Sequence, residues 1–434
     1  MRKNKVNVIT MGCAKNLVDS ERLISLFEQS GYTVEHDPER ADGEIVVINT
    51  CGFIESAREE SVNMILQAVA AKGAGEVGKV FVMGCLSERY REELRSELPE
   101  VDGFYGKFDW KGLIRDLGKA YHTLPADLRT LTTPKHYAFV KIAEGCNRGC
   151  AYCSIPIMTG KYRSRPETEI VEEVRGLAAK GVKELQLIAQ DLTYYGIDRD
   201  GLPGLPRLVR ALCRVEGIEW IRLHYAYPAG FPTELLEVMR EEPKVCKYLD
   251  IALQHSSDRM LSMMRRHITK EEQEELLRTI RREVPGIVLR TTLMVGHPGE
   301  TEEDFEELLD FVRRQRFDRM GAFVYSHEEG TYGFRHYEDE IPPEVKQERL
   351  DRLMGVQEKI AEERAEAFVG TTQRVIIDRR EGEFYFGRTQ YDSPDVDGEV
   401  IIPVDGAAGV EVGEFYDLLI VSSDGNDLYG KVVK

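Results

Sequence analysis

No stretch of this sequence approaches the roughly 18 consecutive apolar residues a membrane-spanning helix needs, so an integral membrane protein is not expected. The first five residues are basic, but the apolar run behind them at 6–9 is too short for a secretory leader. Basic residues are in deficit: 58 Lys and Arg stand against 76 Asp and Glu, a net charge of −18. Nucleic-acid phosphate repels such a chain unless a basic patch is concentrated somewhere. A basic protein partner is therefore favoured over free RNA, and neither dedicated DNA binding nor tRNA binding is expected. Eight cysteines in 434 residues are too few for a disulfide scaffold, and six of them fall into two groups whose thiols must stay reduced. That predicts a reducing, cytoplasmic setting. Apolar residues at 42% allow a sizeable core, and the length allows two to four domains of about 150 residues.

Cys146, Cys150 and Cys153 form a CxxxCxxC array in a short Gly-bearing loop. Three thiolates this close can bind three irons of a cubane cluster and leave the fourth iron open. An open position is what a catalytic metal centre needs. The alternatives are a zinc site short of one ligand or three unrelated thiols, but zinc signatures usually carry ligand pairs at both ends. Cys13, Cys51 and Cys85 each end a short β-branched or aromatic run and precede helix-like sequence. The carboxyl ends of strands in a parallel α/β sheet lie on one edge, so these three are expected to converge. A helix N-terminus also lowers a thiol pKa. Gly12 and Gly84, each next to a cysteine, permit tight turns and close approach. The alternative is three buried structural cysteines. Cys213 and Cys246 lie in helix-like sequence and are assigned to packing.

CxxxCxxC with an aromatic residue, Tyr152, before the last cysteine resembles the radical S-adenosylmethionine (SAM) superfamily. Two triads together resemble the methylthiotransferase family over nearly the whole chain. The segments 11–21, 151–156 and 387–395 resemble its protein-modifying branch; the tRNA-modifying branch more often has Gln-Met-Asn in place of Ala14-Lys15-Asn16. The resemblance implies two 4Fe-4S clusters and SAM as cofactors. It implies metal ligation by Cys13, Cys51 and Cys85 and by Cys146, Cys150 and Cys153. It further implies small-subunit ribosomal protein S-twelve as substrate, an external electron donor and an external sulfur source. The implied reaction inserts a methylthio group at an unactivated carbon of an aspartate, one SAM giving the methyl group and another the radical. The alternative reading is a tRNA adenosine methylthiotransferase. An iron–sulfur electron carrier would need closed four-thiolate clusters, and an RNA-binding adaptor would need a basic terminal domain.

The expected fold class is α/β, with three parts. Residues 1–125 alternate strand and helix signals and predict a parallel α/β domain. A linker follows at 125–135, carrying Pro125, Asp127, Thr130, Thr132, Thr133 and Pro134. Residues 132–365 hold six apolar runs, at 138–142, 184–189, 220–225, 248–253, 288–295 and 321–325, separated mostly by helix-like stretches. They match the open (βα)6 barrel of the radical SAM core, with chemistry at the carboxyl ends of the strands. There the chain places Gln190, Asp191, His224, Tyr225, Gln254, His255, Gly296, Ser326 and His327. A charged helix opens at Pro342-Pro343, its expected buried stripe being Val345, Leu350, Leu353, Met354, Val356 and Ile360. Residues 368–434 read as a small five-stranded antiparallel β-barrel like a TRAM domain, with 13 acidic and six basic residues. It is expected to fold independently and to read the substrate.

For SAM, the resemblance implies Tyr152 near the adenine, Gln190 and Asp191 as acceptors for the amino group, and Gly296 in a glycine-bearing SAM segment. Each has a plainer alternative: loop packing for Tyr152, a helix cap for Asp191, a tight turn for Gly296. Lys161, Arg163 and Arg165 could meet a carboxylate or be a solvated basic loop. His255 is a satisfied buried histidine or a catalytic one. No general base is assigned.

Overall fold

Short β-branched runs alternating with amphipathic helices build three main sheets in the computed structural model, which describes residues 1–121, 125 and 128–433. Asp127 of the expected linker, and Lys434, lie outside the described residues. The amino-terminal strands are β1 (Arg2–Thr10), β2 (Thr33–His36), β3 (Gly43–Thr50), β4 (Lys79–Gly84) and β5 (Gly103–Phe104). They form a parallel sheet in the order β2-β1-β3-β4-β5. The edge strands β2 and β5 are four and two residues long, too short to announce themselves as apolar runs.

The middle of the chain begins with β6 (Tyr137–Lys141), then β7 (Ala143–Glu144) and β8 (Arg163–Ser164), an antiparallel pair that brackets the 146–153 loop. The strands β9 (Glu184–Ile188), β10 (Trp220–Ala226), β11 (Val245–Gln254), β12 (Val288–Val295) and β13 (Arg319–Val324) follow. Their sheet runs β6-β9-β10-β11-β12-β13, parallel throughout, which is the expected open barrel. Leu185, Leu187, Ile221, Leu223, Leu249 and Ile251 point to the helices and carry the main core. The alternate positions are polar: Arg222 Nη2 reaches Glu184 Oε1 at 2.9 Å, and His224 Nε2 lies 2.7 Å from Gln186 Oε1. Cys246, expected in a helix, lies in β11, whose flanking Val245 and Tyr248 favour a strand.

The helix Pro343–Glu366 packs on β13. Of its expected stripe only Leu353 and Ile360 are buried; Val345, Leu350, Met354 and Val356 are half-buried. Lys346, Arg349 and Gln357 are buried instead, because each finds a polar partner inside. Lys346 Nζ is 2.6 Å from Asp339 Oδ1, Arg349 Nη1 is 2.8 Å from Glu300 Oε2, and Gln357 Nε2 donates to the Phe317 carbonyl at 2.9 Å.

The last five strands, β14 (Thr372–Glu381), β15 (Phe384–Thr389), β16 (Val400–Pro403), β17 (Phe415–Asp424) and β18 (Asp427–Val432), close a barrel. Four of its pairings are antiparallel; β16 and β18 run parallel, because the tight β17–β18 hairpin returns the chain beside β16 in the same direction. This barrel is not a free module. It caps the amino-terminal ends of β9 to β13, where Trp220, Cys246, Tyr248, Val288 and Ile376 form one buried cluster. No helix among the described residues is long and apolar enough to cross a membrane.

Candidate active site

The amino-terminal triad is assembled by strand order. Strands β1, β3 and β4 are adjacent, with Thr10 beside Asn49 and Thr50 beside Gly84, so Cys13, Cys51 and Cys85 leave one sheet edge side by side. Two glycines make this possible. A Cβ on Gly12 would fall 2.8 Å from the Cys51 sulfur, and one on Gly84 (φ +100°) 2.5 Å from both Asn49 Oδ1 and the Thr50 carbonyl. Asn16 ties the loops together. Its amide donates to the Met11 and Thr50 carbonyls at 3.0 and 3.1 Å, and its Oδ1 lies 3.7 Å from the Cys85 sulfur. Gly84→Ala is expected to cost at least about 2 kcal/mol, since neither the left-handed backbone nor the contact tolerates a methyl group. It should lower the urea midpoint and remove iron from this triad alone, read by iron content and by retained SAM cleavage.

The second triad lies in the β7–β8 loop. Cys146 N–H donates to the Gly160 carbonyl at 3.2 Å, and Cys153 N–H to the Cys150 carbonyl at 3.1 Å. Residues the sequence reading did not assign surround it. Arg266 Nη1 lies 3.1 Å from the Cys150 sulfur and 3.2 Å from the Tyr152 hydroxyl. Its guanidinium and that of Arg148 stack on Tyr227 at 4.1 and 4.2 Å. Tyr227 and Arg266 could not be read from spacing, since they come from other strands' loops; Arg148 lies inside the array itself, and only the fold shows what it stacks on. All eight cysteines are free thiols.

The thiols do not share the expected low pKa. Burial pushes Cys51 up and Cys85 up to about 12; in the other triad it pushes Cys146 up to about 11 and raises Cys153. Cys13, exposed at the sheet edge, is held below its ordinary value, against local desolvation, by Lys15, by the Asn16 N–H and by Lys107. Thiols buried this way need a cation to become thiolates, and metal binding supplies it by releasing their protons. Among the described residues no three His, Cys, Asp or Glu side chains lie close enough to ligate one ion. Three thiols per triad suit a cage in which each thiolate binds a different iron, whereas a structural zinc takes four ligands.

The loops that carry the two triads meet at one domain interface. The short helices Cys85–Arg89 and Ile155–Thr159 pack together, and the Ser154 hydroxyl donates to the Phe53 carbonyl at 3.2 Å. Buried Glu173 receives Arg22 from the amino-terminal helix, and Arg129 and Arg165, at 2.6 to 2.9 Å. Arg89 and Arg58 both reach buried Glu328 after β13. Arg165 is thus spent on Glu173 within the barrel, while Lys161 and Arg163 are exposed.

The remaining expected residues fall as follows. Gln190 gives its amide N–H to Glu144 Oε1 at 2.5 Å, which leaves its buried Oε1 without a partner, an acceptor suited to a protonated amine. The Gln254 Oε1 is likewise unpartnered. Asp191 is fully engaged: Oδ2 takes Arg148 Nε at 2.6 Å and Oδ1 takes the Thr193 N–H and hydroxyl. Tyr152 packs beside Met260, Met264 and Met294. Gly296 (φ +73°) makes the turn after β12, its N–H donating to Glu300 Oε2 at 2.6 Å, and Lys346 fills the space where a Cβ would stand. His255 Nε2 sits 3.1 Å from Glu300 Oε1, fully buried, a satisfied histidine.

Comparison with known proteins decides the family. The chain is 64% identical to the ribosomal protein uS12 methylthiotransferase RimO of Parabacteroides distasonis over 433 residues, all of both chains. It is 49% identical to that of Cytophaga hutchinsonii, over all of this chain and 99% of that one. The chain belongs to the radical SAM methylthiotransferase family. Residues 140–312 match the radical SAM superfamily, 5–106 match "Uncharacterized protein family UPF0004", and 369–433 match the TRAM domain. Among solved structures, the radical SAM methyltransferase TsrM of Kitasatospora setae superposes with a TM-score of 0.53 at 16% identity, covering 74% of this chain and 75% of that one, a likeness of fold alone. Methylthiotransferases of this family use SAM and 4Fe-4S clusters. The six cysteines, the docking of the two domains and the unpartnered Gln190 oxygen fit those groups.

Proposed function

We propose that this methylthiotransferase acts on small-subunit ribosomal protein uS12, inserting a methylthio group at an unactivated side-chain carbon of an aspartate. The observation that carries the reading is the full-length identity of 64% to a uS12 methylthiotransferase, on a chain that brings the loops of two cysteine triads to one domain interface. Cys13, Cys51 and Cys85 would hold one cluster, and Cys146, Cys150 and Cys153 the other. When bound, the clusters and SAM would supply the radical and the methyl group and carry or activate the sulfur to be inserted. The protein's own part is to position and to shield. Gln190 Oε1 accepts from the SAM amino group, Tyr152 flanks the ligand, Asp191 acts by fixing Arg148, and Gly296 shapes the turn beside it. Arg266 places positive charge against the Cys150 sulfur. The three parts are taken as residues 1–125, 132–365 and 368–434.

A net charge of −18 supports a basic protein partner, and with it no role for tRNA. An external reductant and sulfur source complete the reaction in the cytoplasm, where thiols stay reduced. In a strain lacking the gene, mass spectrometry of purified uS12 should show the loss of one methylthio group, and bulk tRNA should keep its modified adenosines. Unmodified tRNA beside unchanged uS12 would favour the tRNA reading instead.

A further inference from the structure

Three lysines lie where the amino-terminal sheet meets the barrel mouth, Lys107 and Lys141 buried and Lys15 half-buried. Two carboxylates, Asp19 and Glu144, face them. Lys141 Nζ lies 2.7 Å from Glu144 Oε2 and also contacts Asp19. Lys107 Nζ lies 3.2 Å from Glu144 Oε1 and 3.8 Å from Asp19 Oδ2. Each carboxylate is thereby shared by the same two lysines, and the set carries one positive charge in excess.

Lys15 is the lysine left over. Among the described residues its ammonium has no carboxylate and no hydrogen-bond partner; it stands 3.8 Å above the ring centroid of Tyr225. Its nearest anionic groups, the Cys13 thiol it helps to ionise and Glu144, act on it only through space, so no carboxylate holds the ammonium directly. The platform beneath it is strained. Tyr225, near the end of β10, has a φ of +64°, a left-handed conformation unfavourable for an aromatic residue, and Asp250 Oδ2 accepts its N–H at 3.3 Å. A strained platform and an ammonium that no carboxylate touches thus meet at one point. They come from different domains, at the interface where the loops of the two triads meet. An aromatic face holds an ammonium loosely enough for an arriving carboxylate to capture it. Arg266 also has no carboxylate, but its fork is occupied by the Cys150 sulfur, the Tyr152 hydroxyl and the Ala252 carbonyl.

We propose that Lys15 reads the acidic side chain of the substrate: its ammonium pairs with the carboxylate of the aspartate to be modified, and Tyr225 keeps it in place until that carboxylate arrives. The inference rests on the reading of the chain as a methylthiotransferase acting on an aspartate. A carboxylate pinned on Lys15 would hold its neighbouring carbon at that interface, and an amide of the same shape would forgo the charge.

The test is binding of anaerobically reconstituted enzyme to uS12 carrying either the target aspartate or asparagine in its place. The wild type should prefer the aspartate form by roughly tenfold or more, the usual scale for hydrogen bonds to charged groups. Lys15→Met should bind both forms alike, at the weaker affinity, and Lys15→Arg should restore much of the preference. Iron content and thermal melting of each variant report whether it has folded and loaded its clusters. A Lys15→Met enzyme that still prefers aspartate would assign Lys15 to the neighbouring Cys13 thiolate and overturn the inference, as would a wild type that does not discriminate. Failure of the underlying function reads out separately, as unchanged uS12 mass after turnover with the wild type.

Discussion

Replacing Cys146 by alanine should remove one cluster and abolish SAM cleavage, while replacing Cys51 should remove the other and leave cleavage to 5′-deoxyadenosine intact. The expectation follows from how each triad is built. Cys146, Cys150 and Cys153 lie within a single loop, so their cluster can assemble without the amino-terminal sheet. Cys13, Cys51 and Cys85 depend on three adjacent strands of a different sheet. Iron should fall from about eight per chain to about four in either variant, two four-iron cages becoming one. The groups nearest the second triad, Arg266, Tyr152 and Tyr227, keep their contacts in the Cys51 variant. Loss of the same cluster in both variants would refute the assignment of two triads.

Deleting residues 368–434 should leave an unstable, aggregation-prone core, not the intact catalytic unit that an independent terminal domain would leave behind. The deletion exposes Trp220, Tyr248 and Val288, now covered by Ile376, Tyr391 and Phe415, with Trp220 and Phe415 edge to face at 4.7 Å. It also strands charges. Fully buried Glu184 is held by Arg222 at 2.9 Å and by Arg388 of the terminal barrel at 2.7 Å, and Arg388 in turn holds Asp378 at 2.6 Å. Asp392 and Asp397 pair with Arg319 and Arg290. Part of the acidity of this barrel is thus explained by docking rather than by substrate reading. Arg388→Ala alone should cost about 3–5 kcal/mol, because it leaves buried carboxylates short of their partner. Arg388→Lys should recover only part of this, having no fork to span Glu184 and Asp378. Urea unfolding followed by circular dichroism measures both.

The sign of the pH effect is fixed. Burial opposes ionisation of Glu184, but Arg388 and Arg222 outweigh it, so its carboxyl sits below the ordinary value of 4.5. Its contribution is present above that value and lost as pH falls further, through the lower folded value. The Arg388→Ala penalty should therefore shrink in acid. A soluble truncation that carries both clusters would show that the docked surface is dispensable.

The sequence by itself determined the parts whose information is local. The 146–153 array is legible because its three cysteines are neighbours in the chain. The second triad is legible because each cysteine closes a strand, and parallel strands end on one edge whatever their separation in sequence. The barrel strands were visible as apolar runs because their outward faces are covered by helices. Tertiary structure alone decided the rest. Arg388 meets Glu184 across 204 positions, and Arg58 meets Glu328 across 270. No period or spacing encodes such pairs, which exist only once separate sheets dock. The same holds for the Lys107–Glu144–Lys141 network, for the buried polar residues of the long helix, and for Lys15, whose missing partner shows only when every neighbouring charge has been placed. Hydrophobic patterning specifies which face of an element is buried; which charges meet there is settled by the docking of the folded parts.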